Sequence, residues 1–207
     1  MLAIALAPSV YASVRSYFDY NTAKQRIQLA IDKRHTGLQL QDLAYLDALP
    51  TEIGNLTNLE FLTASNTRID DISALAGLAR LETLQIANTR VSNIEVLRTM
   101  KSLEVLDIGR SRVHSLTPLE SLRRLRWIQM DRAFVASLCP LVKLRSLNWL
   151  NLYSSFAKDG SRECFKKLSG RIDDIGGGNS YRQNYMPGES YLNRVKFTRF
   201  LKDWNWR

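Results

Sequence analysis

The chain has 207 residues, of which 45% are hydrophobic and 24% charged, a composition typical of folded globular proteins that excludes an intrinsically disordered chain. Lysine and arginine outnumber aspartate and glutamate by 29 to 20, which gives a net charge of +9. This excess favours acidic partners. No helix-turn-helix, zinc-finger or aromatic RNA-binding pattern accompanies it, so the sequence argues against a nucleic-acid partner.

The N-terminal region begins with an apolar stretch, residues 1–12, whose last three residues form a small-residue pattern that a signal peptidase could accept. No basic residue precedes it, and it is shorter than the roughly 20 residues that a membrane-spanning helix needs. We expect the start of a packed helix here; the remnant of an export or anchor segment is the alternative. From Ser13 to Lys33 apolar residues recur at spacings of three and four, which predicts one or two amphipathic helices that cap the first strand.

The middle of the chain is a repeat with a period of 22 residues. Leucine recurs at 59, 81, 103, 125 and 147, and an aliphatic residue follows three positions later at Leu62, Leu84, Leu106, Ile128 and Leu150. A single unit cannot bury its own leucines, so neighbouring units must stack with their strands about 4.8 Å apart. The spacing therefore predicts an α/β solenoid with one short parallel strand in each unit, preceded by a candidate strand at Leu38-Gln-Leu40.

One complete unit reads Leu81-Glu-Thr-Leu84-Gln-Ile86-Ala-Asn-Thr89-Arg-Val91, which resembles the L-x-x-L-x-L-x-x-N/C/T-x-L pattern of the leucine-rich-repeat family. It is most similar to the bacterial 22-residue class found in internalins. The resemblance covers residues 38–168 and implies a right-handed solenoid with its parallel sheet on the concave face. It also implies that Thr67, Thr89 and Ser111 form a polar row that caps backbone groups of the adjacent turn.

The outward strand positions have no packing role, so they indicate the partner better than the core does. Large exposed aromatic side chains are uncommon in monomers and dominate the energetics of protein interfaces. We expect a binding surface here, named the concave patch, which consists of Phe61, Gln85, Asp107, Trp127, Gln129, Asp131, Trp149, Asn151 and Tyr153, with Arg110 and Arg132 at its rim. The alternative is that the C-terminal tail of the chain covers the two tryptophans.

A second row of side chains, Arg68, Arg90 and Arg112, follows the threonine position of successive units. Such a row could bind phosphates or carboxylates. We expect instead a solvated face whose arginines pair with nearby acids such as Asp70 and Asp71.

The sequence predicts no catalytic residue, metal site or cofactor. Its two histidines are far apart in the chain, and Cys139 and Cys164 lack the CxxC spacing of metal or redox sites, so we expect two buried thiols. Asp107 and Asp131 could approach within roughly 8 Å, in the range used by paired glycosidase carboxylates. No pocket motif accompanies them, and we interpret the pair as part of a hydrated surface.

The C-terminal part departs from the repeat. Ala133 and Ser155 replace threonine, the pattern fades after Leu168, and the glycines at 176–178 indicate a loop or linker. A short helix that folds back on the array is expected near the end; a basic amphipathic helix for a partner or membrane, or the end of a piece of a longer protein, are alternatives. The predicted domains are a helical cap at 1–37, the solenoid at 38–168 and a tail with a short capping helix at 169–207.

These observations predict a non-catalytic protein–protein interaction module that binds a macromolecular partner through its concave face. A secreted, host-directed bacterial effector or surface protein is one alternative, and the sensor part of a larger multidomain protein is another. The identity of the protein partner does not follow from the residues. The cytoplasm is the default compartment, with secretion or membrane association as alternatives, and residues 1–14 and 190–207 are the two segments that could contact a membrane.

Overall fold

The computed structural model describes residues 7–158, 162–172 and 174–176. Within these residues the chain forms two α-helices, α1 (Pro8–Asp32) and α2 (Arg162–Ser169). The strands are β1 (Gly37–Gln39), β2 (Phe61–Thr63), β3 (Thr83–Gln85), β4 (Val105–Asp107), β5 (Trp127–Gln129), β6 (Phe134–Val135), β7 (Trp149–Asn151), β8 (Phe156–Ala157) and β9 (Asp174–Gly176).

The main sheet is parallel and has seven strands in the order β1-β2-β3-β4-β5-β7-β9, while β6 and β8 form a separate parallel pair. Between successive strands of the main sheet, 3-10 turns close the opposite side of each coil, as at Glu95–Thr99 and Thr117–Ser121. From β2 to β7 each residue pairs with the residue one repeat later, for example Leu84 with Leu106. The expected leucine-rich-repeat solenoid is confirmed.

The core is a set of stacked aliphatic rows that runs through the array. Leu62, Leu84, Leu106 and Leu150 are all 0% exposed and occupy the inward position of consecutive strands of the main sheet, together with Ile128. Because alternate strand residues point to opposite faces, the residues on either side of each leucine point outward. The buried rows therefore fix which side chains form the free face of the sheet.

The coils of β2, β3, β4, β5 and β7 each leave the sheet through a residue with positive φ. This position recurs at Asn66, Asn88, Arg110, Arg132 and Ser154, with φ between 53° and 62°. The backbone N–H of Asn88 donates to the carbonyl of Gly109 at 2.8 Å, and the backbone N–H of Arg110 donates to the backbone carbonyl of Asp131 at 2.8 Å. These positive-φ residues therefore also link each coil to the next. Asparagine tolerates this left-handed conformation, whereas arginine adopts it at a cost of about 1 kcal/mol.

A row of hydroxyls supports the turn after each strand. Thr67, Thr89 and Ser111 donate to the carbonyl three residues earlier, at 2.7, 2.8 and 2.7 Å. The bond lies within the same coil, not across to the adjacent turn as the resemblance implied. In the next coil the equivalent residue is Ala133, which has no hydroxyl. Ser155 of the following coil supplies the missing bond, because its hydroxyl donates to the Met130 carbonyl and accepts a hydrogen bond from the Ala133 N–H at 3.1 Å.

The N-terminal end of the array is covered by a single helix, α1. Its second half buries Ala23, Ile27 and Ala30 against the core. Arg26 forms two hydrogen bonds to the carboxylate of Asp42, at 2.6 and 2.7 Å, and holds the pKa of that carboxyl below its usual value. No helix within the described residues is both long and apolar enough to cross a membrane.

The first half of α1 differs from the expectation. The apolar spacing from Ser13 to Lys33 includes Val14, Tyr17 and Phe18 in the side expected to pack on the first strand, yet these residues are 40%, 67% and 58% exposed. Asp19 explains the difference, because its carboxylate accepts the Tyr45 N–H at 2.8 Å and so turns a polar side of the helix toward the first coil.

The C-terminal end of the described array is closed by α2. Leu168 is 0% and Ile172 is 5% exposed, so the helix adds to the core. Cys139 and Cys164 form a disulfide, with their Cα atoms 5.0 Å apart, that ties α2 to the preceding 3-10 turn. The expectation of two free buried thiols is therefore wrong.

Beyond α2, β9 pairs with β7 as a further parallel strand, which the sequence analysis did not predict. Gly176 belongs to this strand and not to a loop. The expected final helix and the rest of residues 177–207 lie outside the described residues, and the domain boundaries stay a prediction.

Candidate functional site

The outward positions of the strands form straight columns on the sheet. Strand pairing places Phe61, Thr83, Val105, Trp127 and Trp149 side by side. It places Thr63, Gln85, Asp107, Gln129 and Asn151 in a second column. These are the columns that the leucine spacing predicts, so the strand residues of the concave patch are neighbours on one surface.

Exposure varies along this surface. Thr63 and Thr83, in its N-terminal part, are buried at 5% and 6% exposed. Every predicted member of the concave patch keeps some solvent contact, and Tyr153 at 59% is highly exposed. The accessible large aromatic surface therefore gathers near β5 and β7.

Trp127 and Trp149 stack on each other. Their ring centroids are 4.2 Å apart and the planes differ by 7°. The stack follows from the parallel register, which sets the two residues directly opposite each other. Each ring is half-buried, because its neighbour covers one of its faces. The two indoles were expected to face solvent separately, but they form one stacked apolar surface.

A pair of carboxylates, Asp107 and Asp131, lies beside Gly109. A Cβ at position 109 would collide with Oδ1 of Asp131 and would lie 3.3 Å from Oδ1 of Asp107, so a larger residue would force the Asp131 carboxylate to move. The Gly109 N–H donates to Asp107 at 3.0 Å. We call these two residues the acidic pair.

The members of the acidic pair differ in their surroundings. Asp131 accepts hydrogen bonds from Gln129 at 3.2 Å and from Arg110 at 3.3 Å. The pKa of Asp107 is raised to about 6, mainly by burial; the Gly109 N–H opposes this rise, and the charge of Asp131 adds to it. A chain with a net charge of +9 thus carries a local acidic spot beside its tryptophan stack.

The arginine rows behave differently from the expectation. Arg68 lies over the ring of Tyr45, 4.2 Å from its centroid, a cation–π contact. Arg90 and Arg112 are exposed, as expected of a solvated face, while Asp71, one of the acids expected to pair with the row, accepts hydrogen bonds from Ser73. Arg110 and Arg132, the predicted rim of the concave patch, are both exposed.

A second aromatic pair escaped the sequence analysis. Phe134 of β6 and Phe156 of β8 are 61% and 66% exposed, with ring centroids 6.2 Å apart. The sequence could have indicated this pair, because the two phenylalanines occupy the same position of consecutive repeats. Across the described residues, no group of three or more histidine, cysteine, aspartate or glutamate side chains is arranged to hold a metal ion.

The comparisons with solved structures support the fold. An internalin from Listeria monocytogenes is similar over 62% of this chain at 28% identity and a TM-score of 0.56, and internalin C2 from the same organism over 66% at 26% identity and 0.54. A leucine-rich-repeat protein of Leptospira interrogans is similar over 62% of this chain at 20% identity and 0.57, which supports the fold alone. The similar regions span 37%, 63% and 34% of those proteins.

No curated protein matches the sequence. The family described as leucine-rich repeat region matches residues 34–172, which is more than half of the chain and includes every strand from β1 to β8. The chain therefore belongs to the leucine-rich-repeat family.

Proposed function

We propose that this chain is a non-catalytic module that holds a protein partner on its concave patch. The observation that carries the proposal is the stack of Trp127 on Trp149. Tryptophan is among the residues that contribute most to protein binding when truncation is measured, and such residues cluster in desolvated central patches. The two rings already restrict each other, so a partner that packs on them loses little further side-chain freedom.

The polar neighbours of the stack supply orientation. The acidic pair and the exposed Arg110 place opposite charges within one small area, and they are linked by the bond from Arg110 to Asp131. A partner with a basic side chain could replace Arg110 at that carboxylate. Charge complementarity of this kind mainly sets orientation and association rate, while the apolar stack provides most of the affinity.

The proposal assigns no catalytic role to the acidic pair. Asp131 is already hydrogen-bonded to Gln129 and Arg110, and Asp107 accepts a backbone N–H, so both carboxylates serve to arrange the surface. Their neighbours in the columns are amides and aromatic rings, which suit a contact surface between proteins.

The experiment is a cross-linking pull-down from the native cells with the wild type and Trp127→Ala/Trp149→Ala. We expect the double variant to lose at least one partner that the wild type captures. The matched control is Phe134→Ala/Phe156→Ala, which removes an aromatic pair that lies outside the main sheet. Circular dichroism establishes that both variants are folded, and a folded tryptophan variant that retains every partner contradicts the proposal.

A second candidate function, that of an exported effector or surface protein, is favoured by the disulfide between Cys139 and Cys164. Disulfides persist in oxidising compartments and are rare in the cytosol. Cell fractionation followed by mass spectrometry under non-reducing conditions tests this. A cytosolic protein with two free thiols rules the export hypothesis out, whereas oxidised protein in the medium or the cell envelope supports it.

A further inference from the structure

A group of arginines lies at the amino ends of the two strands that carry the tryptophan stack. The segment before β5 contributes Arg123, Arg124 and Arg126, and the segment before β7 contributes Arg145. All four arginines are exposed, and Arg126 directly precedes Trp127. We call these four residues the basic ridge. It borders the concave patch on the side where the strands begin.

The repeats provide an internal comparison for the basic ridge. In five successive coils the position of Arg123 carries Thr57, Ala79, Lys101, Arg123 and Arg145. In the first four of these coils the position of Arg126 carries Glu60, Glu82, Glu104 and Arg126. The coils of β2 and β3 form the same parallel strands without a cation at the Arg123 position, so packing of a coil does not require one. The cluster of positive charge therefore accompanies the tryptophans and not the fold.

The charges of the basic ridge are not neutralised by nearby acids. Within the part of the chain that the structure describes, no ion pair includes Arg123, Arg124 or Arg145. Glu120, in the 3-10 turn before Arg123, is already paired with Lys143 at 2.6 Å. Uncompensated charges of one sign on a small area attract ligands of the opposite sign and orient them as they approach. The basic ridge thus favours a negatively charged ligand.

The concave patch presents opposite charges at the two ends of its strands. The basic ridge precedes β5 and β7, whereas Asp107 is the last residue of β4 and Asp131 follows β5 by two residues. A nucleic acid that crossed the tryptophan stack would meet the basic ridge at one end and the acidic pair at the other, where like charges repel. A protein segment with acidic residues at one end and a basic residue at the other matches both ends.

We propose that the basic ridge binds an acidic segment of the protein partner. The inference rests on the proposed function, in which apolar residues of the same partner pack on the tryptophan stack. Carboxylates of the partner accept paired hydrogen bonds from the arginine guanidinium groups, while a basic residue further along the partner reaches Asp131. The opposite charges at the two ends then fix the direction in which the partner crosses the strands.

The probe is a decaglutamate peptide with a neutral fluorescent label, and its anisotropy is measured at low salt during titration with the full-length chain. A chain of net charge +9 attracts any acidic peptide, so the test compares two variants of equal net charge. Arg123→Thr/Arg145→Thr removes two charges of the basic ridge and introduces the residue type found at position 57. The matched control is Arg90→Thr/Arg112→Thr, which also removes two exposed arginines from consecutive coils.

We expect Arg123→Thr/Arg145→Thr to weaken binding of the peptide about tenfold relative to the wild type, because two exposed arginine–carboxylate pairs are lost. The control should bind within about twofold of the wild type, since general attraction depends on net charge. The proposal is overturned if the wild type does not bind the peptide or if both variants are weakened equally. It is also overturned if a decadeoxythymidine strand binds more tightly than the peptide and depends on the same two arginines.

The same variants in the pull-down separate this proposal from the proposed function. A partner that is lost by Trp127→Ala/Trp149→Ala but retained by Arg123→Thr/Arg145→Thr supports the proposed function and overturns the acidic segment. A partner that both variants lose, and that Arg90→Thr/Arg112→Thr retains, supports both. If the tryptophan variant retains every partner, the proposed function fails, and the peptide titration decides separately whether the basic ridge binds carboxylates. Circular dichroism establishes that each variant is folded.

Discussion

The two halves of the array solve the same structural problem in different ways. From β1 to β4 the repeat is regular: Thr67 and Thr89 each support their own turn, and α1 closes the end through hydrogen bonds and ion pairs. From β5 onward Ala133 cannot support its turn, Ser155 does so from the next coil, and a disulfide closes the end. The tryptophan stack and Asp131 lie in this second half.

The difference teaches how a repeat array tolerates a lapse in its pattern. Stability in such arrays is approximately a sum of terms within repeats and between neighbours. A missing hydroxyl in one coil can therefore be replaced by a group in the adjacent coil, while a covalent bond can stabilise an end whose helix has only eight residues. The four predictions below test whether the two halves depend on different interactions, from the largest expected effect to the smallest.

Removal of the disulfide should have the largest effect, and only in the second half. The bond joins residues 25 positions apart, and loop-closure entropy for such a separation gives about 3.5 kcal/mol. Cys139→Ser/Cys164→Ser should lower the free energy of unfolding in urea by about that amount. Hydrogen exchange should rise in α2 and β9 but not in α1.

Reductant added to the wild type is the control, since it should reproduce the effect of the double variant. Equal urea midpoints for oxidised and reduced protein would show that the C-terminal end is held by packing alone.

Ser155 should matter more than its counterparts in the regular half. Ser155→Ala leaves the Met130 carbonyl and the Ala133 N–H without their partner, so we expect a loss of about 2 kcal/mol. Thr89→Ala removes only the bond to the Ile86 carbonyl and should cost about 1 kcal/mol. Chemical denaturation of both variants gives the comparison.

The decisive variant is Ala133→Ser/Ser155→Ala, in which the hydroxyl returns to the position that it has in the regular coils. We expect it to recover at least half of the stability that Ser155→Ala loses. A double variant less stable than the single one would refute the exchange of roles between the two coils.

The stability of the N-terminal cap should depend on the charge of Asp42, whereas a disulfide holds the C-terminal cap. Arg26→Ala removes the paired hydrogen bonds to Asp42 and should cost about 1 kcal/mol at neutral pH. The pKa of Asp42 is lowered in the folded chain, so this stabilisation is present above the unfolded pKa and disappears as the pH falls through the folded value. Thermal melts at pH 7 and pH 2.5 should differ accordingly.

Arg15→Ala is the control on the same helix, because Arg15 bonds only to Tyr11 and should leave the melting temperature unchanged. If Arg26→Ala destabilises equally at both pH values, the side chain acts through packing instead.

Replacement of Asp107, at the border of the two halves, should have the smallest effect, and it should raise stability instead of lowering it. The pKa of Asp107 is about 6 in the folded chain and lies above the unfolded value. Between these two pKa values the native state binds more protons than the unfolded state, so stability falls as the pH rises through this range. Asp107→Asn keeps the acceptor for the Gly109 N–H and should raise stability by on the order of 1 kcal/mol at pH 7.5.

At pH 2.5, below both the folded and the unfolded pKa, the carboxyl is protonated in both states, so wild type and Asp107→Asn should melt at the same temperature. A lower melting temperature of the variant at pH 7.5 would contradict the unfavourable burial of this charge.

The leucine spacing was sufficient to predict the regular strands. The inward leucines at 62, 84 and 106 locate β2 to β4 and the two outward columns, although not the three-residue bounds of the strands, because strand residues alternate strictly. β9 could not be predicted, since Asp174 and Gly176 are poor strand formers and the strand depends on pairing with β7. The disulfide was missed because two cysteines 25 residues apart form no recognisable framework.

The candidate site was predictable in position but not in detail. Alternation places Trp127 and Trp149 on the outer face, yet their mutual stacking depends on the register between two coils. The raised pKa of Asp107 depends mainly on its burial in the folded chain, and to a smaller extent on the charge of Asp131 in the next coil. The alternative in which the C-terminal tail covers the tryptophans concerns residues outside the described part of the chain.

The uniform spacing of the rungs has a consequence for protein engineering. Ser65 and Asn66 accept hydrogen bonds from Ala87 and Asn88, which occupy the structurally equivalent positions 22 residues further on. The coils from β2 to β7 therefore follow one another with the same spacing. Excision of residues 67–88 joins Asn66 to Thr89 and preserves the order of every side chain around the cut. The shortened chain should fold with the stack of Trp127 and Trp149 closer to the N-terminal helix by one strand spacing of about 4.8 Å.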